Sequence, residues 1–230
     1  MLDRLAGNEA MKQHLQAALA GGKLAHSLLL CGEKGCGAGF AARCLAADYL
    51  YPQGGPAAEA VLAGQAPECL EVRGEGASGQ IRIERIRQVR EEVFHSALSA
   101  QGRVVLLYGA QNLNSASANA LLKVLEEPPS YGVFLLLTTN PDALLPTVRS
   151  RCTEIRMQAL PRNVLLEALA RQFPQAEPED LQAAASRSGG FLGQAQALLA
   201  AGSQIPEETR LLVDALCRRD SLKLIQVLVP

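Results

Sequence analysis

The chain has 230 residues, 48% of them hydrophobic and 20% charged, with a formal charge of −1; this is enough for one large domain, or a large and a small one. The near-neutral balance argues against nucleic-acid binding through overall charge, so any such contact has to be local or shared with partner subunits. No apolar run reaches the ~18–20 residues of a membrane helix, Met1 to Leu5 carries no signal-peptide pattern, and a cytoplasmic protein with no membrane partner is expected.

Asn8 to Ala20 reads as an amphipathic helix with Met11, Leu15, Ala18 and Leu19 on one face, stopped by Gly21-Gly22. Ala25-His26 leads into Leu28-Leu29-Leu30-Cys31, a strand apolar enough to be buried on both faces. His26, with no partner visible in the sequence, is read as structural. The loop Gly32-Glu33-Lys34-Gly35-Cys36-Gly37-Ala38-Gly39 follows, then a helix whose stripe is Phe40, Cys44, Leu45 and Tyr49. Strand, glycine loop and helix are the frame of a phosphate-binding loop, G-x-x-x-x-G-K-[ST]. Gly32 and Gly37 keep its spacing. Ala38 stands where the lysine belongs, and Gly39 where the hydroxyl residue belongs.

Tyr51 to Gln65 is rich in Pro, Gly and Ala and reads as a loop or poorly ordered insertion. Cys69 to Val72 is a short strand, and Arg73 to Gly79 a polar turn. A helix is expected over Ile81 to Ala97, with Ile83, Ile86, Val89, Val93 and Phe94 inward. Its arginines, mixed with glutamates, read as a solvated, salt-bridged face. Val104 to Tyr108 is a second all-apolar strand. Asn114 and Ser115 look like caps for a helix that runs to Glu126 and stops at Pro128-Pro129. Val133 to Thr138 is a third buried strand, Arg149 to Cys152 ends a short turn or helix, and Thr153 to Met157 is another strand. Strands alternating with helices predict an α/β fold, a parallel sheet covered on both faces. Beyond Pro161 only helices are expected, over Asn163–Gln172, Pro178–Ser186 and Leu192–Ala201, with further helical segments over Pro206–Cys217 and Ser221–Val229.

In ATP-hydrolysing phosphate-loop proteins the loop lysine neutralises phosphate charge, the hydroxyl holds Mg²⁺, and acids at the end of a neighbouring strand complete the metal site. Here that strand ends Tyr108-Gly109-Ala110-Gln111, without a carboxylate. Losing one transition-state charge contact commonly costs ~10²–10⁵ in rate, so three losses predict an inert site. Lys34, four positions early, reads as a solvated loop residue. The backbone N–H groups of the loop remain able to attract an anion. Of the six cysteines, Cys31, Cys36, Cys44, Cys69, Cys152 and Cys217, none forms a C-x-x-C pair, and reduced structural thiols are expected.

The lead-in Ala25-His26-Ser27-Leu28-Leu29-Leu30, the loop frame, the block Asn119-Ala120-Leu121-Leu122-Lys123-Val124-Leu125-Glu126-Glu127-Pro128-Pro129, then Thr138-Thr139-Asn140-Pro141 and Ser150-Arg151-Cys152 together resemble the AAA+ clamp-loader subunits of bacterial DNA polymerase III, most of all the delta-prime type. The resemblance runs from about Leu5 to Ala201. It implies an AAA+ domain over residues 1–160, a small three-helix lid over 161–205, and the start of a truncated C-terminal collar over 206–230, so that this chain alone is not expected to assemble a stable loader. It implies a subunit that is not itself an enzyme, within a DNA polymerase assembly that loads a sliding clamp onto primed DNA. Its implied partners are the gamma/tau motor subunits and the delta subunit, and, through the assembled complex, the clamp and primer-template DNA. Arg151 is the implied arginine finger, reaching ATP on a neighbouring motor subunit; the alternative for an arginine placed there is a surface ion pair.

Three departures from that family bear on the cofactors. The four-cysteine zinc module that usually follows the loop helix is missing between Tyr51 and Glu68, so zinc is not expected. Motor subunits carry a nucleotide-sensing arginine in the lid; at the matching place, Gly190 to Ala195, the position holds Gly193. The family's C-terminal collar is expected to be almost entirely missing beyond about Glu207. No cofactor is therefore expected at Gly32, Gly35, Gly37, Ala38 and Gly39, at Tyr108 and Gly109, or at Gly193. The alternatives are a weak nucleotide-binding switch that uses the loop backbone, and a pure scaffold.

Overall fold

The all-apolar runs become the centre of a five-stranded parallel sheet in the computed structural model, which describes residues 1–76, 78–95, 102–129 and 131–201. The strands are β1 (Ser27–Cys31), β2 (Cys69–Val72), β3 (Arg103–Tyr108), β4 (Gly132–Thr138) and β5 (Thr153–Arg156), in the order β2-β3-β4-β1-β5. The three continuous apolar runs take the inner positions, Leu29 lying opposite Leu136 and Leu106 opposite Leu135. β1 and β4 are buried along their whole length, as a parallel strand with helices on both faces must be.

Side chains alternate across the sheet. Leu28, Leu30, Val104, Leu106 and Leu135 pack toward α1 (Glu9–Ala20), α2 (Ala38–Leu50) and α3 (Pro56–Leu62). Leu29, Val105, Leu107, Phe134 and Leu136 pack toward α4 (Ile83–His95) and α5 (Ser115–Glu126). At ~1.5–3 kcal/mol for each fully buried leucine, these two layers carry the fold. Asn114 caps α5, its side chain accepting from the Ser117 amide at 2.8 Å, as its position in the sequence predicts.

Three expectations need correction. Tyr51 to Gln65 is not a loop throughout. Pro56 opens α3, and Ala58 and Val61 are completely buried; an Ala-rich helix of about two turns has no strong periodicity of its own and is made helical by packing on α2. Phe40 and Phe94, both placed on inward stripes, are each 42% exposed. Phe40 sits in the first turn of α2. Phe94 falls beside the Ile86, Val89 and Val93 row, with Arg90 6.0 Å from its ring centre. On the other face of that helix Arg85 pairs with Glu92 at 3.6 Å, a solvated ion pair as read.

After the short α6 (Pro146–Arg149) and β5, three helices form a lid: α7 (Arg162–Gln172), α8 (Pro178–Arg187) and α9 (Leu192–Ala200). They enclose their own apolar cluster around Leu165, Leu169, Leu181 and Ala195. Pro178 opens α8, where its missing N–H costs nothing. The helices expected in 206–229, with Cys217, lie outside the described residues. Because all strands run in parallel, the turns after β1, β3 and β4 meet at one edge, where ligands of open α/β sheets bind.

Candidate functional site

Two glycines give the loop between β1 and α2 its shape. Gly35 and Gly37 hold φ of +86° and +89°, which side-chain-bearing residues rarely adopt. Gly32 is required for space: a Cβ there would lie 2.5 Å from the Cys36 sulfur and 2.9 Å from Met157 Cβ. The loop borders a cavity of about 670 Å³ whose lining includes Gly32, Gly35, Gly37, Ala38, Gly39, Tyr108, Gly109 and Gly193. Positions from three distant segments of the sequence, the loop, the end of β3 and the start of α9, thus meet around one space.

The groups that would hold a magnesium nucleotide are replaced there. Ala38 begins α2 with a methyl group. A Cβ on Gly39 would lie 3.2 Å from Tyr108 Cε1, so the phenol ring fills the ground of the missing loop hydroxyl. That ring is fixed in place. The Tyr108 hydroxyl donates to Glu71 at 3.2 Å, and the Arg73 guanidinium lies 3.6 Å from the ring centre. Glu71, on β2, also accepts from Arg43 Nε at 2.7 Å and pairs with Arg73 at 3.1 Å. Burial pushes the Glu71 carboxyl up, but the two arginines outweigh it and hold it below the usual carboxylate range. One carboxylate therefore does approach the strand end, yet both its oxygens are taken. Of the cations at the cavity wall, Arg4 pairs with Glu59 and Arg171 with Glu167. On the far side Thr138 donates to Gln111 at 2.9 Å, and Gln111 donates to Thr139 at 3.2 Å. These residues do not fit Mg²⁺-ATP: a neutral methyl replaces the phosphate-binding cation, and an aromatic ring replaces the metal-binding hydroxyl.

The lid closes directly on the loop. The Gly193 amide donates to the Gly35 carbonyl at 2.9 Å, and Gln194 Nε2 donates to the Lys34 carbonyl at 2.7 Å. A Cβ on Gly193 would lie 3.0 Å from Gly35 Cα, so backbone meets backbone with no room for a side chain between them. Lys34 itself is exposed, as read. Sequence reasoning missed Glu71, Arg43, Arg73 and Gln194. Glu71, Arg43 and Arg73 belong to no local motif and meet where β2, β3 and α2 pack together, whereas Gln194, beside Gly193, is brought in by the docking of α9.

Arg151 is placed apart from this cavity, in the turn between α6 and β5. It is half-exposed, pairs with Glu126 at the end of α5 at 2.5 Å, and donates to the Thr147 carbonyl at 2.9 Å. His26 lies at the opposite sheet edge, beside a second cavity of about 780 Å³, its Nε2 3.3 Å from the Leu125 carbonyl oxygen. It takes no part in the loop site. Cys31, Cys36, Cys44, Cys69 and Cys152 are free thiols; burial pushes Cys44 up to about 11 and Cys69 up to about 12, so both rest as neutral thiols. Among the described residues no group of His, Cys, Asp or Glu is gathered to hold a metal, and no helix is long and apolar enough to cross a membrane.

Comparison with known proteins places this architecture. A family model described as "DNA polymerase III, delta subunit" matches residues 7–161. The DNA polymerase III subunit delta' of Pseudomonas aeruginosa is 35% identical over 184 residues, 76% of this chain and 56% of that protein. The gamma/tau subunit of Mycobacterium tuberculosis is 33% identical over 175 residues, 73% of this chain and 30% of its own. The chain therefore spans between about a third and just over half of the length of these relatives. The Thermotoga maritima RuvB Holliday junction branch migration motor shares the fold, with a TM-score of 0.60 at 19% identity over 99% of this chain and 70% of that one. The chain belongs to the DNA polymerase III delta-subunit family, as a delta/delta'-like AAA+ clamp-loader subunit.

Proposed function

We propose that this chain serves the clamp loader without hydrolysing ATP, and that Arg151 acts as an arginine finger on ATP bound by a neighbouring motor subunit. One observation carries the reading. The loop site has no cation, hydroxyl, acid or lid arginine at the positions that would hold Mg²⁺-ATP, which are Ala38, Gly39, Tyr108 and Gly193, while Arg151 stays half-exposed on a separate surface. A guanidinium there has the planar charge and donor set that a developing phosphoryl charge needs. Gamma/tau and delta subunits are its partners, with the sliding clamp and primer-template DNA engaged by the assembly; the lid, residues 161–205, stays docked on the AAA+ domain, residues 1–160.

The test is Arg151→Ala in a loader reconstituted with the full-length protein. An arginine finger is worth ~10³–10⁵ in kcat at the site it serves, so DNA-stimulated ATPase should fall by that one site's share, with the melting temperature of the subunit unchanged. Unchanged ATPase would overturn the finger and leave a scaffold. A second reading, weak nucleotide binding as a switch, is favoured by the preserved loop backbone around its 670 Å³ cavity. Calorimetric titration of the chain with ATP and ADP separates the two: flat heats are expected, and a saturable signal would favour the switch.

A further inference from the structure

Three arginines lie within eight residues around the turn before β5, and they are held differently. Arg149 is spent within its own segment, on Asp142 at 2.8 Å and on Glu154 at 2.8 and 3.0 Å. Arg156 donates to the same Glu154 at 2.8 Å. Arg151 instead reaches across to another element. Its Nη2 meets Glu126 Oε1 at 2.5 Å, and its Nη1 donates to the Thr147 carbonyl at 2.9 Å. The Arg151 and Glu126 side chains are 37% and 47% exposed, so water and an incoming anion reach the pair.

Glu126 is the last residue of α5, and Glu127 follows it as the cap. Carboxylates are unfavourable at that end of a helix, where the unpaired carbonyls leave partial negative charge. The Arg151 guanidinium offsets this. A half-exposed ion pair of this kind is weak and cannot hold an arginine against a polyphosphate. It does select one side-chain conformer, and breaking it leaves Glu126 uncompensated beside the helix end.

We propose that Glu126 is the positioning residue for Arg151: it parks the guanidinium against its own chain, and releases it only to an anion of higher charge density, a nucleotide polyphosphate presented by the neighbouring subunit. This rests on the finger reading above. Glu126 thereby sets a threshold. A polyphosphate with several negative charges displaces it, whereas chloride or a single surface carboxylate does not. Glu126, which the sequence marks only as the end of a helix, acquires a role.

The experiment uses the loader reconstituted with the full-length protein and reads KM for ATP separately from kcat. Glu126→Gln keeps the shape and removes the charge. It is expected to lower KM for ATP two- to five-fold, with the shift in KM rather than in DNA-stimulated kcat. Glu126→Asp, which keeps the carboxylate, is expected to return KM to within two-fold of the parent. In an Arg151→Ala background Glu126→Gln is expected to change nothing further, because Glu126 acts through that arginine. If Arg151→Ala lowers the ATPase but Glu126→Gln leaves KM unchanged, or shifts it equally with and without Arg151, the positioning role is overturned and the finger stands. If Arg151→Ala has no effect, the finger reading fails and the positioning role falls with it.

Discussion

Replacing Gly35 by alanine is the sharpest test of the contact between lid and loop. Gly35 has φ +86°, and an added Cβ would lie 2.7 Å from the Gln194 amide nitrogen and 3.2 Å from the Gly193 carbonyl carbon. Both are backbone atoms, so α9 has to retreat toward the ordinary contact distance. A left-handed alanine alone costs about 1–2 kcal/mol. Gly54→Ala supplies the control: its φ is +71° and nothing lies within 4 Å of its added Cβ, so it carries the conformational cost without the wedge. The excess in Gly35→Ala comes from overpacking, about 1–3 kcal/mol, and from loss of the Gly193-to-Gly35 hydrogen bond, about 0.5–1.5 kcal/mol. Together these give about 1.5–4.5 kcal/mol, limited by how readily the lid swings away. At ~2–4 °C per kcal/mol for a chain of this size, Gly35→Ala should melt about 3–18 °C below Gly54→Ala. Thermal melts followed by circular dichroism read the midpoint, and hydrogen exchange should show faster opening at the Gly193 and Gln194 amides. Equal midpoints for the two variants, with unchanged exchange at Gly193, would refute the wedge.

Two further outcomes follow from the cluster at the end of β3. The Glu71 carboxyl is held below its usual range by Arg43 and Arg73, so the stability it contributes is fully present above the unfolded value of about 4.3 and is lost as pH falls through the folded value. Melting midpoints of the parent and Glu71→Gln should therefore converge as pH is lowered from about 5 to about 3; a gap that stays constant or widens argues against the assignment. Gly39→Ser, whose Cβ would meet the Tyr108 ring at 3.2 Å, should destabilise by about 1 kcal/mol in the parent and be neutral or favourable in a Tyr108→Ala background. Urea unfolding of the four-member cycle reads that coupling, expected at about 0.5–3 kcal/mol, and additivity would count against a shared space.

The strands, the α5 cap and the glycine loop were legible because each is written in a short stretch. Leu28 to Cys31 and Val133 to Leu137 are apolar at every position, which only a strand covered on both faces accommodates, and Asn114 precedes its helix as a cap should. The segment that became α3 was illegible: its burial comes from α2. The cavity was half-legible. Gly32, Ala38, Gly39 and Tyr108 could be placed by spacing from the strands that carry them. Glu71 could not, because its closeness to Tyr108 depends on β2 pairing with β3 and not with any other strand. Gln194 depends on the angle at which the lid docks, and Glu126 on the turn that brings Arg151 back to α5.

The packing of Tyr108 against Gly39 also bears on how such a site changes over evolutionary time. A serine restored at position 39 meets a ring already pinned by Glu71 and Arg73. An aspartate restored at position 108 first places a second carboxylate beside Glu71 and empties the space the ring filled. A lysine restored at position 38 finds no metal-binding hydroxyl beside it. Each reversion taken alone costs stability or yields nothing, so no path of single gainful steps leads back to a nucleotide site. The replacement works as a ratchet: a lineage that has taken it keeps the frame of the loop without the groups that hold Mg²⁺-ATP.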